Sequence, residues 1–183
     1  MAVGEDANSG KKELATTPTK AQPKANLNTQ KLRHSNTPMI GIVGGIGPMA
    51  GVDLYKQIVE NTIAATDQEH LPVLLASLPN EITDRTSFLL GLTDKNPASA
   101  LARVIMLLNN AGCTHVGIAC NTAHAPQIYE PMVALLGIMG SRVELVHMIE
   151  EVIRQITLHP AQPQRIGILS TIGTYKTRIY QNR

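Results

Sequence analysis

Residues 40–48 read Ile40-Gly41-Ile42-Val43-Gly44-Gly45-Ile46-Gly47-Pro48. A short apolar run that breaks into glycines is the pattern of a buried parallel strand entering a tight turn. From about Met49 to Ala65, Val52, Tyr55, Ile58 and Val59 recur at spacings that suit one face of a helix. Leu71 to Ser77 reads as a second strand. Asn96-Pro97 then looks like an N-cap followed by proline at the first helical position. Leu101, Ile105 and Leu108 continue that helix, Gly112 follows its end, and His115 to Ala119 is a third strand running straight into Cys120.

Beyond Cys120 the pattern continues. Pro126 to Leu136 is helical in spacing although Pro131 interrupts it, and Val143 to Ile156 reads as a better helix. His159 to Gln164 is a proline-rich connection, Arg165 to Ser170 a fourth strand like the first, and Thr174 to Arg183 the opening of a further helix. Strands alternating with helices predict the α/β class, a parallel sheet with helices on both faces. The stretches at 40–48 and 166–174 (IGIVGGIGP and IGILSTIGT) are weakly alike. They point to two similar α/β domains, 38–138 and 139–183, the second incomplete. A second sheet holding only its first strand should expose apolar surface.

Residues 1–37 differ in kind. Lys, Asn, Thr, Pro, Ala and Gln dominate and large apolar side chains are almost absent. Such a segment cannot bury enough surface to offset its ordering entropy, so a disordered tail is expected. Over all 183 residues, 43% are hydrophobic but only 3% aromatic, so aliphatic residues and Met must fill the core. A net charge of +2, with no aromatic-and-basic clusters, argues against nucleic acid. No apolar run reaches the roughly 20 residues of a membrane span, and the start lacks a secretory signal pattern. Two cysteines, Cys113 and Cys120, imply no disulfide framework, which favours a reducing, cytoplasmic setting.

Two stretches carry candidate chemistry. Gly45, Gly47 and Ala50 satisfy a G-x-G-x-x-A pattern between strand and helix, which brings backbone close to an anion. A dinucleotide site also wants an acid near the end of the second strand, and Leu75-Ala76-Ser77-Leu78-Pro79 offers none. The remaining readings are a plain tight turn, or a loop around Gly47 facing a small carboxylate. The other stretch is Cys120-Asn121-Thr122-Ala123-His124. Ligands of open α/β sheets bind beyond the carboxyl ends of the strands, where Cys120 lies. A helix starting just after it would favour the reactive thiolate. Asn121 and Thr122 can donate to a carboxylate. The bland alternative is a small buried cysteine with a packing role.

Taken with Ser77-Leu78-Pro79 through Asp84-Arg85-Thr86, Val146-His147-Met148-Ile149-Glu150 and Thr171-Ile172-Gly173-Thr174, these stretches resemble the aspartate/glutamate racemase family in order and spacing. The resemblance spans most of residues 39–183 and rests chiefly on the cysteine and Asp-Arg-Thr motifs. It implies two similar α/β domains with the site in the cleft between them. It implies racemisation of aspartate or glutamate with no pyridoxal phosphate, metal or nucleotide, and it allows a homodimer. In this family two cysteines face the substrate's α-carbon from opposite sides, because inversion needs a base and an acid on different faces. Cys120 matches the first of them. Asn121 and Thr122 match holders of the α-carboxylate, Arg85 the group that grips a side-chain carboxylate, and Thr171 and Thr174 a second-domain loop near the cleft. Simple turn threonines are the competing reading of that last pair.

The match has gaps. The family's second cysteine lies in a late Gly-Cys-Thr motif. Here Gly112-Cys113-Thr114 precedes the strand that leads to Cys120. Seven extended residues would separate the two thiols by roughly 23 Å, so Cys113 is expected to be structural. The downstream lysine of the family is also absent, and Gly51 stands where many relatives carry threonine. A chain lacking the last part of its second domain, and inactive alone, is the expectation. A non-catalytic domain that binds acidic amino acids is the alternative. Hydantoin and maleate enzymes use similar cysteine scaffolds.

Overall fold

The structure, a computed structural model, describes residues 37–160 and 165–182. The tail expected over residues 1–37 lies, save for Thr37, outside the described residues. Among the described residues four parallel strands form one sheet in the order β2-β1-β3-β4: β1 Ile40–Gly44, β2 Val73–Ser77, β3 His115–Ile118 and β4 Glu144–Val146. Ile40 pairs with Val73 on one side and with His115 on the other, and Val116 pairs with Leu145. β1 and β3 are therefore central. Each carries fully buried side chains (Ile42, Val43, Val116) because both edges and at least one face are covered. The α/β parallel fold expected from the alternating pattern is present.

Among the described residues six α-helices surround or follow the sheet: α1 Pro48–Asn61, α2 Arg85–Leu89, α3 Ala98–Ala111, α4 Pro126–Ile138, α5 Met148–Thr157 and α6 Ile172–Thr177. The main core lies where α3 (Leu101, Ile105, Leu108) and α4 (Ile128, Met132, Leu136) pack with Val43, Val116 and Ile118. Asn96 serves both helices. Its Oδ1 accepts from the amide of Ala98, the first residue of α3, at 2.9 Å, although the N-cap position falls one residue later than expected, at Pro97. Its Nδ2 donates to the Gln127 carbonyl at 2.9 Å. That carbonyl is four residues before Pro131, which has no N–H to give it. The proline inside α4 is thus tolerated because a side chain just before α3 supplies the lost donor. A groove of about 550 Å3 runs along the other face between α1 and α5, lined by apolar groups including Ile40, Leu54, Ile58 and Ile156. No helix among the described residues is long and apolar enough to cross a membrane.

Two expected elements are corrected. Glu144–Val146 does not begin a helix: it is β4, drawn into the ladder by the free edge of β3, with the Glu144 amide donating to Thr114 O at 2.8 Å. The helix begins only at Met148, where the His147 Nδ1 accepts from the Glu150 amide at 3.2 Å. Arg165–Ser170 is not a strand. No described strand lies beside it to complete its hydrogen bonds, and Ile166, Ile168 and Leu169 are exposed.

Candidate active site

The chain leaves β1 toward β2 on one side and returns to β3 on the other, so β1 and β3 flank the switch point of the sheet. Ligands of such sheets settle in the crevice beyond the strands' carboxyl ends there. The two loops at that point are Gly44 to Gly47 and Ala119 to Cys120. The two stretches singled out in the sequence therefore stand side by side. The apolar groove below the sheet is a separate feature, since neither Cys120, Asn121 nor Arg85 lines it.

The glycine loop is shaped first by packing. A Cβ on Gly45 would lie 2.8 Å from the backbone nitrogens of Leu78 and Pro79. One on Gly51 would lie 3.1 Å from the Gly44 Cα and 3.0 Å from Leu75 Cδ1. Threonine at Gly51 would have to push α1 off β1 in this chain. Gly47 is exposed, has φ 107°, and forms the N-cap of α1.

Cys120 is half-buried at the end of β3. Its Sγ lies 3.3 Å from the Thr122 hydroxyl, within sulfur hydrogen-bond reach. The following residues, Asn121–His124, form one 3-10 turn, and α4 starts only at Pro126. The helix envisaged immediately after Cys120 is therefore displaced by that turn. His124 is 1% exposed and closes it. Its Nδ1 is 2.8 Å from Cys120 O, a contact it can make only as the donor, and its Nε2 accepts from the Met148 amide at 3.3 Å. That pattern sets the neutral tautomer with the proton on Nδ1. His124 also meets the rings of Tyr129 and His147, with centroids 5.5 and 4.7 Å away. His124 thus packs and also ties the cysteine turn to the start of α5.

Arg85 opens α2. One guanidinium nitrogen, Nη2, donates to Ile46 O at 3.3 Å, which joins α2 to the glycine loop. Its Nε is buried without a hydrogen-bond partner, a donor held ready for an acceptor. Asp84 caps α2 by accepting from the Ser87 amide at 2.6 Å. That hydrogen bond, helped by the neighbouring Arg85 charge, holds the Asp84 carboxyl below its ordinary 3.8 despite some burial. Asp84→Ala is expected to cost about 1 kcal/mol at neutral pH. Because the folded value lies below the unfolded one, the Asp84 contribution is complete above the unfolded value and fades as pH falls through the folded one. Urea melts of parent and variant should therefore converge below about pH 3.8.

The segment after Ser170 folds onto the cysteine turn and α2. A Cβ on Gly173 would sit 2.9 Å from Thr122 Cγ2 and 2.9 Å from Thr86 Oγ1. α6 thus touches the cysteine turn and the residue after Arg85 at once. Thr174 is 3% exposed, and its hydroxyl lies 3.4 Å from that of Thr171, which is itself exposed. Thr171 is the N-cap of α6 by position, without a side-chain cap hydrogen bond. The Tyr180 phenol donates to Asn121 Oδ1 at 2.8 Å. Tyr180 escaped the reading of the sequence: nothing in its neighbourhood marks a contact to a residue 59 positions earlier. Cys113 lies at the opposite end of β3, 5% exposed among core residues. Desolvation there pushes its thiol up.

Fold and site together define a parallel α/β unit with a part-buried cysteine, an asparagine, a threonine and an arginine near one switch point. Residues 43–183 match the model of the Asp/Glu/hydantoin racemase family, and the chain belongs to that family. Among solved structures, it is similar to the aspartate racemase of Picrophilus torridus (TM-score 0.67, 28% identity, 79% of this chain and 57% of that one). It is also similar in fold to an aspartate racemase homologue from Pyrococcus horikoshii OT3 (TM-score 0.50, 20% identity, 67% and 50%). The chain thus spans 57% and 50% of the lengths of those two structures.

Proposed function

We propose that this chain carries one half of the machinery of an amino-acid racemase acting on aspartate or glutamate, with Cys120 as the base. The Cys120 thiolate takes the α-proton, the bonding pair stays on the α-carbon, and an acid on the opposite face returns a proton. Asn121 and Thr122 hold the α-carboxylate and its growing negative charge. Arg85 grips the side-chain carboxylate, which favours acidic over neutral amino acids. Gly47, Thr171 and Thr174 border the bound substrate more loosely. The chemistry needs no pyridoxal phosphate, metal or nucleotide. Beyond β4 and α5, which belong with the first sheet, the stretch from Arg165 on resembles the opening of a second α/β domain, and the protein works in the cytoplasm, with a homodimer as its candidate assembly.

The observation that supports this reading most is the juxtaposition at the switch point: Cys120 beside the Thr122 hydroxyl, with the partnerless Arg85 Nε on the neighbouring element. A second reading, a domain that binds acidic amino acids without isomerising them, draws on Cys113. It is the only other cysteine, and it lies in the core at the far end of β3. The test is NMR in heavy water with L- and D-aspartate and L- and D-glutamate. Loss of the α-proton signal supports proton abstraction, and loss without inversion assigns one base to this chain. Binding with no exchange in any of the four favours the second reading, and neither binding nor exchange defeats both.

A further inference from the structure

We propose that Tyr180 is a positioning residue of the carboxylate site: it locks the Asn121 amide so that the NH2 end, not the carbonyl end, meets the anion. This rests on the reading of Asn121 as a carboxylate holder. A primary amide is nearly symmetric in shape but opposite in chemistry at its two ends. Its nitrogen donates to a carboxylate and its oxygen repels one. An amide free to turn would spend part of its time facing the substrate with the wrong end.

The structure supplies a lock. The Tyr180 phenol reaches Asn121 Oδ1 at 2.8 Å. Among the described residues Asn121 Nδ2 has no hydrogen bond and is not sealed from solvent. The tyrosine is delivered by a built contact. Its neighbour Ile179 is buried against Ala125 and Ile149, so the turn after α6 is anchored to the cysteine turn and to α5. Gly173 seats the start of the same helix against Thr122. Burial pushes the Tyr180 phenol up from 10.0, which keeps it a donor across the neutral range. A tyrosine without its proton would have to accept from the amide nitrogen, turning the carbonyl outward.

Tyr180→Phe removes the hydroxyl and keeps the ring. Aspartate and glutamate binding to the chain, measured by calorimetry, is expected to weaken about three- to tenfold, with the melting temperature nearly unchanged. A double-mutant cycle decides the route. In an Asn121→Ala background the same substitution should have almost no further effect, because Tyr180 acts only through that amide. Equal weakening in both backgrounds, or none in either, overturns the proposal.

A second measurement does not need a substrate. The Asn121 side-chain NH2 pair, assigned in 15N-correlated NMR spectra by its loss in Asn121→Ala, should shift in Tyr180→Phe. An unmoved pair overturns the lock. If the chain binds neither amino acid but the pair shifts, the lock stands and the functional reading of the site falls instead.

Discussion

Cys120→Ala is expected to lower α-proton exchange in acidic amino acids by roughly 10²–10⁴-fold, the usual worth of a positioned general base. The argument is geometric. A base must reach the α-carbon of a held substrate, and Cys120 opens the turn that carries Asn121, which Tyr180 grips, and lies 3.3 Å from the Thr122 hydroxyl. No other thiol can replace it: Cys113 is enclosed by core side chains. His124 cannot replace it either, since its ring is committed to Cys120 O and the Met148 amide. Alanine keeps the Cβ and removes a half-buried sulfur whose one side-chain hydrogen-bond partner among the described residues is a hydroxyl, so the melting temperature should change little. That separates lost chemistry from lost folding. Exchange undiminished in Cys120→Ala would mean that another group is the base. Cys113→Ser supplies the contrast: it should destabilise the fold by placing a hydroxyl in the core, while leaving exchange per folded molecule intact.

The parts of this molecule that could be read in advance are those governed by local chemistry. β1, β3, α1 and α3 each carry their own signal: an apolar run, ending in glycines for β1 and at Cys120 for β3, or apolar residues at helical spacing, flanked in α3 by Asn96 and Gly112. β4 carried no such signal. Three residues, Glu144–Val146, precede a helix whose apolar periodicity continues back through them, and only the open edge of β3 makes them a strand. Arg165–Ser170 is the converse case. Its apolar alternation suits a strand, but strand structure is a property of a pair, and no described segment pairs with it. The site divides along the same line. Cys120, Asn121 and Thr122 stand out because their types and order carry chemistry, and Arg85 only through the family resemblance. The contacts of Tyr180 with Asn121, and of Gly173 with Thr122 and Thr86, join distant parts of the chain and depend on how α6 docks. The glycine loop held both kinds of information, and Gly45 shows how the two differ.

Gly45→Ala is expected to destabilise the fold by roughly 2–6 kcal/mol, combining left-handed backbone strain with a steric overlap. The residue has φ 80°, which alone disfavours a side chain. The added Cβ would also lie 2.8 Å from Leu78 N, 2.8 Å from Pro79 N and 3.1 Å from Leu78 C. These are backbone atoms, so no rotamer change can make room. Either the exit from β1 or the exit from β2 must move. Gly112→Ala isolates the two costs. Its φ is 101°, but a Cβ there meets nothing within 4 Å, so only the conformational part, about 1–2 kcal/mol, should be lost. Urea denaturation of the two variants therefore measures the overlap by difference, and equal losses would show that the crossing of the two loops relaxes freely. The consequence reaches the site, because the next residue, Ile46, offers the carbonyl that receives Arg85 Nη2. A glycine that resembles part of an anion-binding loop is thus required first by the close approach of two strand exits. That same crossing holds the acceptor for Arg85 in place at the switch point.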